Sequence, residues 1–199
     1  MQINPDSIAS LQQFLSRLPG FSADAFALAL PFFQEKRLEK GEVFVRQGEV
    51  CRKVGFIVSG IFRNYYLNDG VEVTACFCLE NTFLTSYASL VTRQISRMEI
   101  QALEDSVLLV IQLTDLEKLY TLHPFWEKTG RITAEREFIV LETHNITRYD
   151  ETALEKYTRI MRNTPDLIHR VPLQNLASYL GITPETLSRV RREFAKMQT

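Results

Sequence analysis

The sequence has few cysteines, few histidines and no long apolar run, and each shortage excludes a class of protein. Its 199 residues contain 3 Cys and 3 His. Three cysteines are too few for a disulfide scaffold and fit a reducing compartment. No stretch of about 18 apolar residues occurs, so we expect neither a membrane-spanning helix nor a membrane partner. The N-terminal segment lacks the basic and apolar regions of a signal peptide, and we therefore expect a cytoplasmic protein.

The few metal-binding side chains are also poorly placed for a metal site. His123, His144 and His169 all follow the part of the chain predicted to be rich in strands. An enzyme of the cupin type would need two or three His and a carboxylate on its barrel strands, and the predicted strand region contains no His. Cys76 and Cys78 share one face of a predicted strand but lack further ligands. We therefore expect no metal, no cofactor and no catalytic residues, and a structural role for the cysteines.

The chain also lacks a large excess of positive charge. Its formal net charge is -1, which argues against a histone-like binder of nucleic acid. The charge is uneven, however, because residues 151–199 carry 8 basic and 5 acidic side chains. A modestly basic end on an acidic body fits a specific DNA binder that uses a small phosphate-contacting face.

A predicted pair of short helices lies between Val171 and Lys196. Apolar residues at helical spacing define one face of the first helix: Leu173, Leu176, Ala177 and Leu180. Gly181–Thr183 interrupts the pattern, Thr183 is predicted to cap the second helix, and Pro184 suits its first position. The segment therefore predicts two helices joined by a three-residue break.

The second of these helices has an apolar face and a polar face. Its apolar stripe consists of Leu187, Val190 and Phe194. Its opposite face carries Glu185, Ser188, Arg189 and Arg192. This arrangement predicts a helix-turn-helix, whose second helix can lie in the major groove of DNA. The alternative is an ordinary helical hairpin whose charged face is only solvated.

The run Glu185–Arg189 resembles the recognition helix of the Crp/Fnr transcription regulators. Ala177 and Gly181 stand where that family's small residues let the two helices meet, and the E-x-x-S-R arrangement is closer to the fumarate-nitrate regulator branch. Arg can bind guanine bidentately, Glu can accept from cytosine N4, and Ser is permissive. The predicted DNA-binding residues are Thr183, Glu185, Thr186, Ser188, Arg189, Arg192 and Lys196. The resemblance implies double-stranded DNA, a second copy of the chain, a small-molecule effector and RNA polymerase as partners.

The N-terminal part is predicted to form helices followed by many short strands. Pro5–Leu18 has a helical apolar stripe, and Ser22 is predicted to cap a second helix, Ala23–Leu30. From Phe33 to about Gln112, short alternating runs separated by turns predict a sandwich or jelly roll. Asn68–Gly70 is a hairpin-type turn inside this region.

This region resembles the cyclic-nucleotide-binding β-roll of the same family. The resemblance lies in Leu38–Glu42, Gln47–Glu49 and Phe56–Gly60. Its predicted turn glycines are Gly41, Gly48 and Gly60. The order of β-roll, long helix and helix-turn-helix is also that of the family.

The effector pocket departs from the family's cyclic-AMP binders. Those proteins place a Glu on the ribose and an Arg on the phosphate, and the corresponding positions here are Thr85–Ser86 and Ser96–Arg97. Arg97 is one residue out of register, and in a strand such a slip points the side chain to the other face. A buried cyclic phosphate without a paired cation is unfavourable. We therefore predict a pocket formed by Thr85, Ser86, Ser96 and Arg97 that is not a cyclic-AMP site.

A long helix is predicted from Pro124 to about Asn145. Apolar residues recur every seven positions, at Phe125, Ile132, Ile139 and Ile146, and predict a seam that faces a partner helix. A second stripe, of Ala134, Phe138 and Leu141, is predicted to pack on the β-roll. Thr147–Asp150 is the predicted hinge, with Asp150 capping the next helix. The alternative is a single buried helix in a monomer.

Together these patterns predict an α+β fold. Residues 1–123 would form a double-stranded β-helix (jelly roll) sensor with N-terminal helices, 124–147 a dimerisation helix, and 148–199 a helical helix-turn-helix domain. The predicted protein is a homodimeric transcription regulator that reads a palindromic site. The alternative is a ligand-binding or protein-interaction module without sequence-specific DNA binding.

Overall fold

The structure, a computed structural model, describes residues 3–197, without the side chains of His144, Thr147, Arg148 and Tyr149. Its helices are α1 (Pro5–Leu15), α2 (Ala23–Ala29), α3 (Tyr87–Thr92), α4 (Leu113–Leu122), α5 (Pro124–Asp150), α6 (Ala153–Asn163), α7 (Leu167–Arg170), α8 (Leu173–Leu180) and α9 (Pro184–Met197). Its strands are β1 (Phe33–Leu38), β2 (Val43–Val45), β3 (Lys53–Ser59), β4 (Phe62–Asn68), β5 (Val71–Cys78), β6 (Phe83–Leu84), β7 (Glu99–Ala102) and β8 (Ser106–Gln112).

The chain divides into two compact units, each assembled from two separate segments. The first unit comprises the chain up to Asn64 together with Phe77–Glu135. The second unit comprises Tyr65–Cys76, here called the hairpin arm, together with the chain from Arg136 onward. The domain limits predicted at residues 123 and 147 remain predictions. No helix among the described residues is long and apolar enough to cross a bilayer.

The strands form two four-stranded sheets, in the orders β1-β8-β3-β6 and β2-β7-β4-β5. In the first sheet β8 pairs antiparallel with both β1 and β3. The sequence of β8 is a continuous apolar run, which suits a central, fully buried strand; Leu108 and Leu109 have no exposed surface. The predicted combination of a β-roll with helices is therefore confirmed.

Aromatic rings of α1 and the first sheet form part of the core of the first unit. The Phe14 ring centroid lies 5.4 Å from that of Phe56 and 5.6 Å from that of Phe83. The indole N–H of Trp126 donates to the Ala25 carbonyl at 3.0 Å. These contacts attach the N-terminal helices and the start of α5 to the β-roll.

Local signals predicted the helix starts better than their ends. The Ser22 hydroxyl accepts from the Ala25 N–H at 3.1 Å, so the predicted cap is confirmed. α1 ends at Leu15 rather than at Leu18, because the chain turns at Ser16, whose hydroxyl donates back to the Gln13 carbonyl. The region predicted to hold only strands also contains α3, which was missed.

Residues with left-handed backbone conformation form the turns of the roll, at the positions predicted from the glycines. Asp69 and Gly70 both have positive φ, 50° and 79°, as a type I′ hairpin turn between β4 and β5 requires. Gly41, Gly48 and Gly60 also have positive φ. At Gly60 an added Cβ would overlap Ser106, so this turn requires glycine for space as well as for conformation.

The long helix is longer than predicted. α5 continues to Asp150, so the predicted end at Asn145 and the predicted hinge at Thr147–Asp150 are wrong. The cap of the next helix is Thr152 rather than Asp150: its hydroxyl accepts from the Glu155 N–H, and the Glu155 carboxylate accepts from the Thr152 N–H at 2.7 Å. This reciprocal pair is a capping box, which starts α6 only two residues after α5 ends.

Candidate nucleic-acid interface

The two predicted C-terminal helices are present, and local chemistry explains the break between them. α8 ends at Gly181, which has a φ of 72°. The Ile182 N–H donates to the Ala177 carbonyl at 3.0 Å, the long return bond of a Schellman motif. Glycine is favoured here because only it adopts this conformation without steric penalty.

Threonine hydroxyls start the second helix. The Thr183 hydroxyl accepts from the Thr186 N–H at 3.2 Å, and the two hydroxyl oxygens lie 3.2 Å apart. Pro184 occupies the first helical position, where its missing N–H is not needed. Thr183 and Thr186, both predicted to bind DNA, therefore hold the first turn of α9.

The buried side of this helix pair fixes which side faces outward. Leu176, Ala177, Leu180, Leu187 and Val190 are buried. The Phe194 ring packs edge-on against Tyr157 of α6, with centroids 5.4 Å apart. Leu173, predicted to lie on the apolar face, is 36% exposed.

The outward side of α9 carries the predicted DNA-binding side chains. The exposed members of this set are Thr183, Glu185, Ser188, Arg189, Arg192 and Lys196, whereas Thr186 is half-buried. The structure therefore brings a carboxylate, a hydroxyl and guanidinium groups onto one exposed helix face. Such a face presents both acceptors and donors to a groove.

Hydrogen bonds at the start of α9 lower the pKa of Glu185. Its own backbone N–H is the largest cause, the Thr183 hydroxyl the second, and the positive charge of Arg189 adds to both. The carboxylate is therefore ionised at neutral pH, as an acceptor for an amino group must be. The Ser188 hydroxyl donates to the Pro184 carbonyl at 3.0 Å, which leaves its lone pairs able to accept.

Three of the four predicted effector residues take part in hydrogen bonds within the protein. Ser96 donates to the Ser86 hydroxyl at 2.8 Å, and both side chains are buried. The Thr85 hydroxyl donates to the Lys53 carbonyl at 2.9 Å. Arg97 is exposed. The two serines therefore bind each other in the interior of the protein.

The Arg93 guanidinium is paired with a carboxylate, and the Arg97 side chain is exposed. Arg93 has left-handed backbone and pairs with Glu117, with Nη2 2.6 Å from Oε1. Arg97 lies in the loop before β7 rather than in a strand, so the argument that a strand register turns it away was wrong. Among residues 3–197, no three His, Cys, Asp or Glu side chains gather into a metal-binding group.

The seam predicted along α5 divides into a buried half and an exposed half. Phe125 is 3% exposed and Ile132 is half-buried, whereas Ile139 and Ile146 are each 60% exposed. Phe138 is 67% exposed, although the sequence predicted it to be buried against the β-roll. The same prediction was wrong for Leu141, whose side chain is 58% exposed. The second half of α5 therefore carries apolar side chains that the described part of the chain does not cover.

One contact of α8 was not anticipated from the sequence. The Ser178 hydroxyl accepts from the Thr74 N–H at 2.9 Å and donates to the Glu72 carbonyl at 3.2 Å. Both partners belong to the hairpin arm. No local sequence signal could have found this contact, because it joins residues 104 and 106 positions apart.

The central part of the chain matches a known domain family. Residues 35–123 match the family described as cyclic nucleotide-binding domain. No curated protein shows significant sequence similarity to the chain.

Several solved structures share the fold over most of the chain. FixK2 from Bradyrhizobium japonicum is 21% identical, with 83% of this chain and 86% of that chain covered and a TM-score of 0.70. A CooA variant from Carboxydothermus hydrogenoformans is 19% identical, with coverages of 94% and 85% and a TM-score of 0.68. A candidate transcriptional regulator of the Crp/Fnr family from Eubacterium rectale is 16% identical, with coverages of 89% and 85% and a TM-score of 0.68. These likenesses establish a Crp/Fnr-like fold.

Proposed function

We propose that the protein is a homodimeric transcription regulator of the Crp/Fnr type that reads a palindromic DNA site with α9. The observation that supports this most directly is the exposed face of α9, where Glu185, Ser188 and Arg189 lie above the buried Leu187 and Val190. A helix anchored on one side and polar on the other can enter the major groove with its first turns on base edges.

Each exposed side chain has a distinct role in this reading. Arg189 would donate both guanidinium N–H groups to guanine O6 and N7, and Glu185 would accept from cytosine N4. The resemblance to the fumarate-nitrate branch suggests a TTGA-like core in each half-site. Arg192 and Lys196, which lie further along the helix, would contact phosphates and contribute without regard to sequence.

The proposed dimer forms through the second half of α5. Ile139 and Ile146 are seven residues apart and equally exposed, as expected for one seam of a helix pair. In such a dimer the two α9 helices would lie about 34 Å apart, one turn of B-DNA. Half-sites should then be about 10–11 base pairs apart, centre to centre.

The proposed effector is not cyclic AMP. The buried Ser86–Ser96 pair offers hydroxyls but no cation for a cyclic phosphate, and desolvating such an anion without a paired charge is unfavourable. An effector of other chemistry would act by shifting the population of conformations in which the two reading helices match their half-sites. The cytoplasmic location and the contact with RNA polymerase remain expectations from the sequence and the resemblance.

Selection from a random DNA library tests the proposal. Wild type should enrich a two-fold palindrome, and Arg189→Ala should weaken binding by roughly 1–3 kcal/mol per half-site and relax preference at one base pair. Arg162→Ala is the matched control, because Arg162 is exposed and carries the same charge but lies on α6.

The outcomes separate the competing functions. A palindrome that Arg189→Ala leaves unchanged would remove Arg189 from the reading role. The absence of any enriched sequence with wild type would refute the proposal and favour the protein-interaction module.

A further inference from the structure

The hydroxyl of Ser178 fills a position on β5 that a neighbouring strand would otherwise occupy. β5 is the last strand of the sheet β2-β7-β4-β5, so within residues 3–197 no other strand pairs with its outer edge. On that edge Ser178 accepts from the Thr74 N–H at 2.9 Å and donates to the Glu72 carbonyl at 3.2 Å. One side chain thus satisfies two outward-pointing backbone groups two residues apart, as a paired strand does.

A second connection holds the same helix from the adjacent residue. Tyr179 hydrogen-bonds to Arg159 of α6, and burial raises the pKa of its phenol. Arg159 in turn pairs with Glu151, with Nε 3.1 Å from Oε2. Glu151 follows the end of α5 directly. α8 is therefore attached on one side to the hairpin arm and on the other to α6.

These contacts bear on the distance between two reading helices in a dimer. The hairpin arm, the second half of α5 and α9 all belong to the second unit. If two chains join through α5, the position of α9 relative to α5 sets the separation of the two helices on DNA. A dimer binds both half-sites strongly only when the separation of its two α9 helices already matches the separation of the half-sites, because otherwise binding must also order the protein in a new position.

We propose that Ser178 is a positioning residue that fixes the α8–α9 pair to the hairpin arm and thereby sets the half-site spacing that the dimer accepts. The proposal rests on the proposed function, because spacing has a meaning only for a dimer that reads a palindrome. Ser178 itself does not touch DNA. Without the Ser178 hydroxyl, α8 is free to occupy several positions, each of which matches a slightly different spacing between the half-sites.

Binding to a series of palindromes tests the role of Ser178. The best site for wild type is lengthened and shortened by one and two base pairs, each step changing the separation by about 3.4 Å. Wild type should bind one spacing sharply. Ser178→Ala should bind that spacing roughly tenfold more weakly, which corresponds to about 1.4 kcal/mol, and should lose less affinity than wild type on the altered sites.

Two variants and one direct probe control for a general loss of stability. Ser178→Thr keeps the hydroxyl and should restore the sharp profile. Ser16→Ala removes an exposed hydroxyl that bonds only within its own turn, and it should leave the profile unchanged. In Ser178→Ala, hydrogen exchange of the Thr74 amide should accelerate while amides of β8 keep their protection.

The results distinguish the inference from the function on which it rests. If wild type prefers no palindrome, the proposed function fails. If wild type prefers one spacing and Ser178→Ala shows the same affinity and the same profile, the function stands and the role of Ser178 is refuted. A uniform loss of affinity at every spacing would also overturn the positioning role.

Discussion

The substitution Ile139→Glu tests whether the exposed half of α5 is a dimer interface. Ile139 is 60% exposed in the single chain. Full burial of an isoleucine side chain stabilises by about 1.5–3 kcal/mol, so covering the remaining surface contributes about 1–2 kcal/mol per chain. The same residue lies on both sides of a two-fold interface, which doubles the effect to about 2–4 kcal/mol.

This energy corresponds to a dimer dissociation constant that is about 30-fold to 700-fold larger in the variant than in wild type. The figure is a lower limit, because the new carboxylate would also be desolvated in the interface. Sedimentation or light scattering over a dilution series measures it. Leu122→Glu is the matched control, since Leu122 is 53% exposed and lies on α4.

Three results would refute the reasoning. A wild-type chain that remains monomeric at micromolar concentration would show that the exposed side chains are not covered by a second copy. A dimer that Ile139→Glu leaves as tight as wild type would place the interface elsewhere. Equal weakening by Leu122→Glu would attribute the effect to added negative charge rather than to α5.

Three further predictions follow from the described contacts. Replacing Arg192 and Lys196 by Gln should weaken binding on all DNA sequences alike and flatten the salt dependence, measured by titration at several salt concentrations. Calorimetry should detect no cyclic-AMP binding in the micromolar range or tighter. Such binding would refute the proposal that the buried Ser86–Ser96 pair excludes cyclic AMP. Thr152→Ala should lower the free energy of unfolding by about 1 kcal/mol at neutral pH, measured by urea denaturation. Because hydrogen bonds from Thr152 lower the pKa of Glu155, its carboxylate stabilises the fold above the ordinary value of 4.5, and this contribution is lost as the pH falls through the lowered value.

Features with a local chemical cause could be predicted from the sequence. The Ser22 cap, the Asp69–Gly70 turn and the Gly181 helix end each depend on residues within a few positions of one another. The exposed face of α9 was predicted for the same reason, because helical periodicity alone separates its polar from its apolar side.

Features that depend on distant segments could not be predicted. The end of α5 was placed five residues early because the helix continues to Asp150, past the apolar pattern, and the capping box of Thr152 and Glu155 starts the next helix only beyond it. The buried state of Ser86 depends on Ser96, which reaches it through α3, a helix with no clear capping side chain. The bridge of Ser178 joins segments that no periodic pattern connects.

The division of the second unit between two stretches of sequence has a consequence for synthesis of the chain. The hairpin arm leaves the ribosome about 100 residues before its partner, since Thr74 and Ser178 are 104 positions apart. At about 5–20 residues per second, β5 waits roughly 5–20 seconds with an open edge. An open edge strand is a template for pairing with another chain. Neighbouring nascent chains on one messenger RNA are therefore at greatest risk of strand exchange in this interval, and slow codons between the two segments should increase aggregation of the newly made protein.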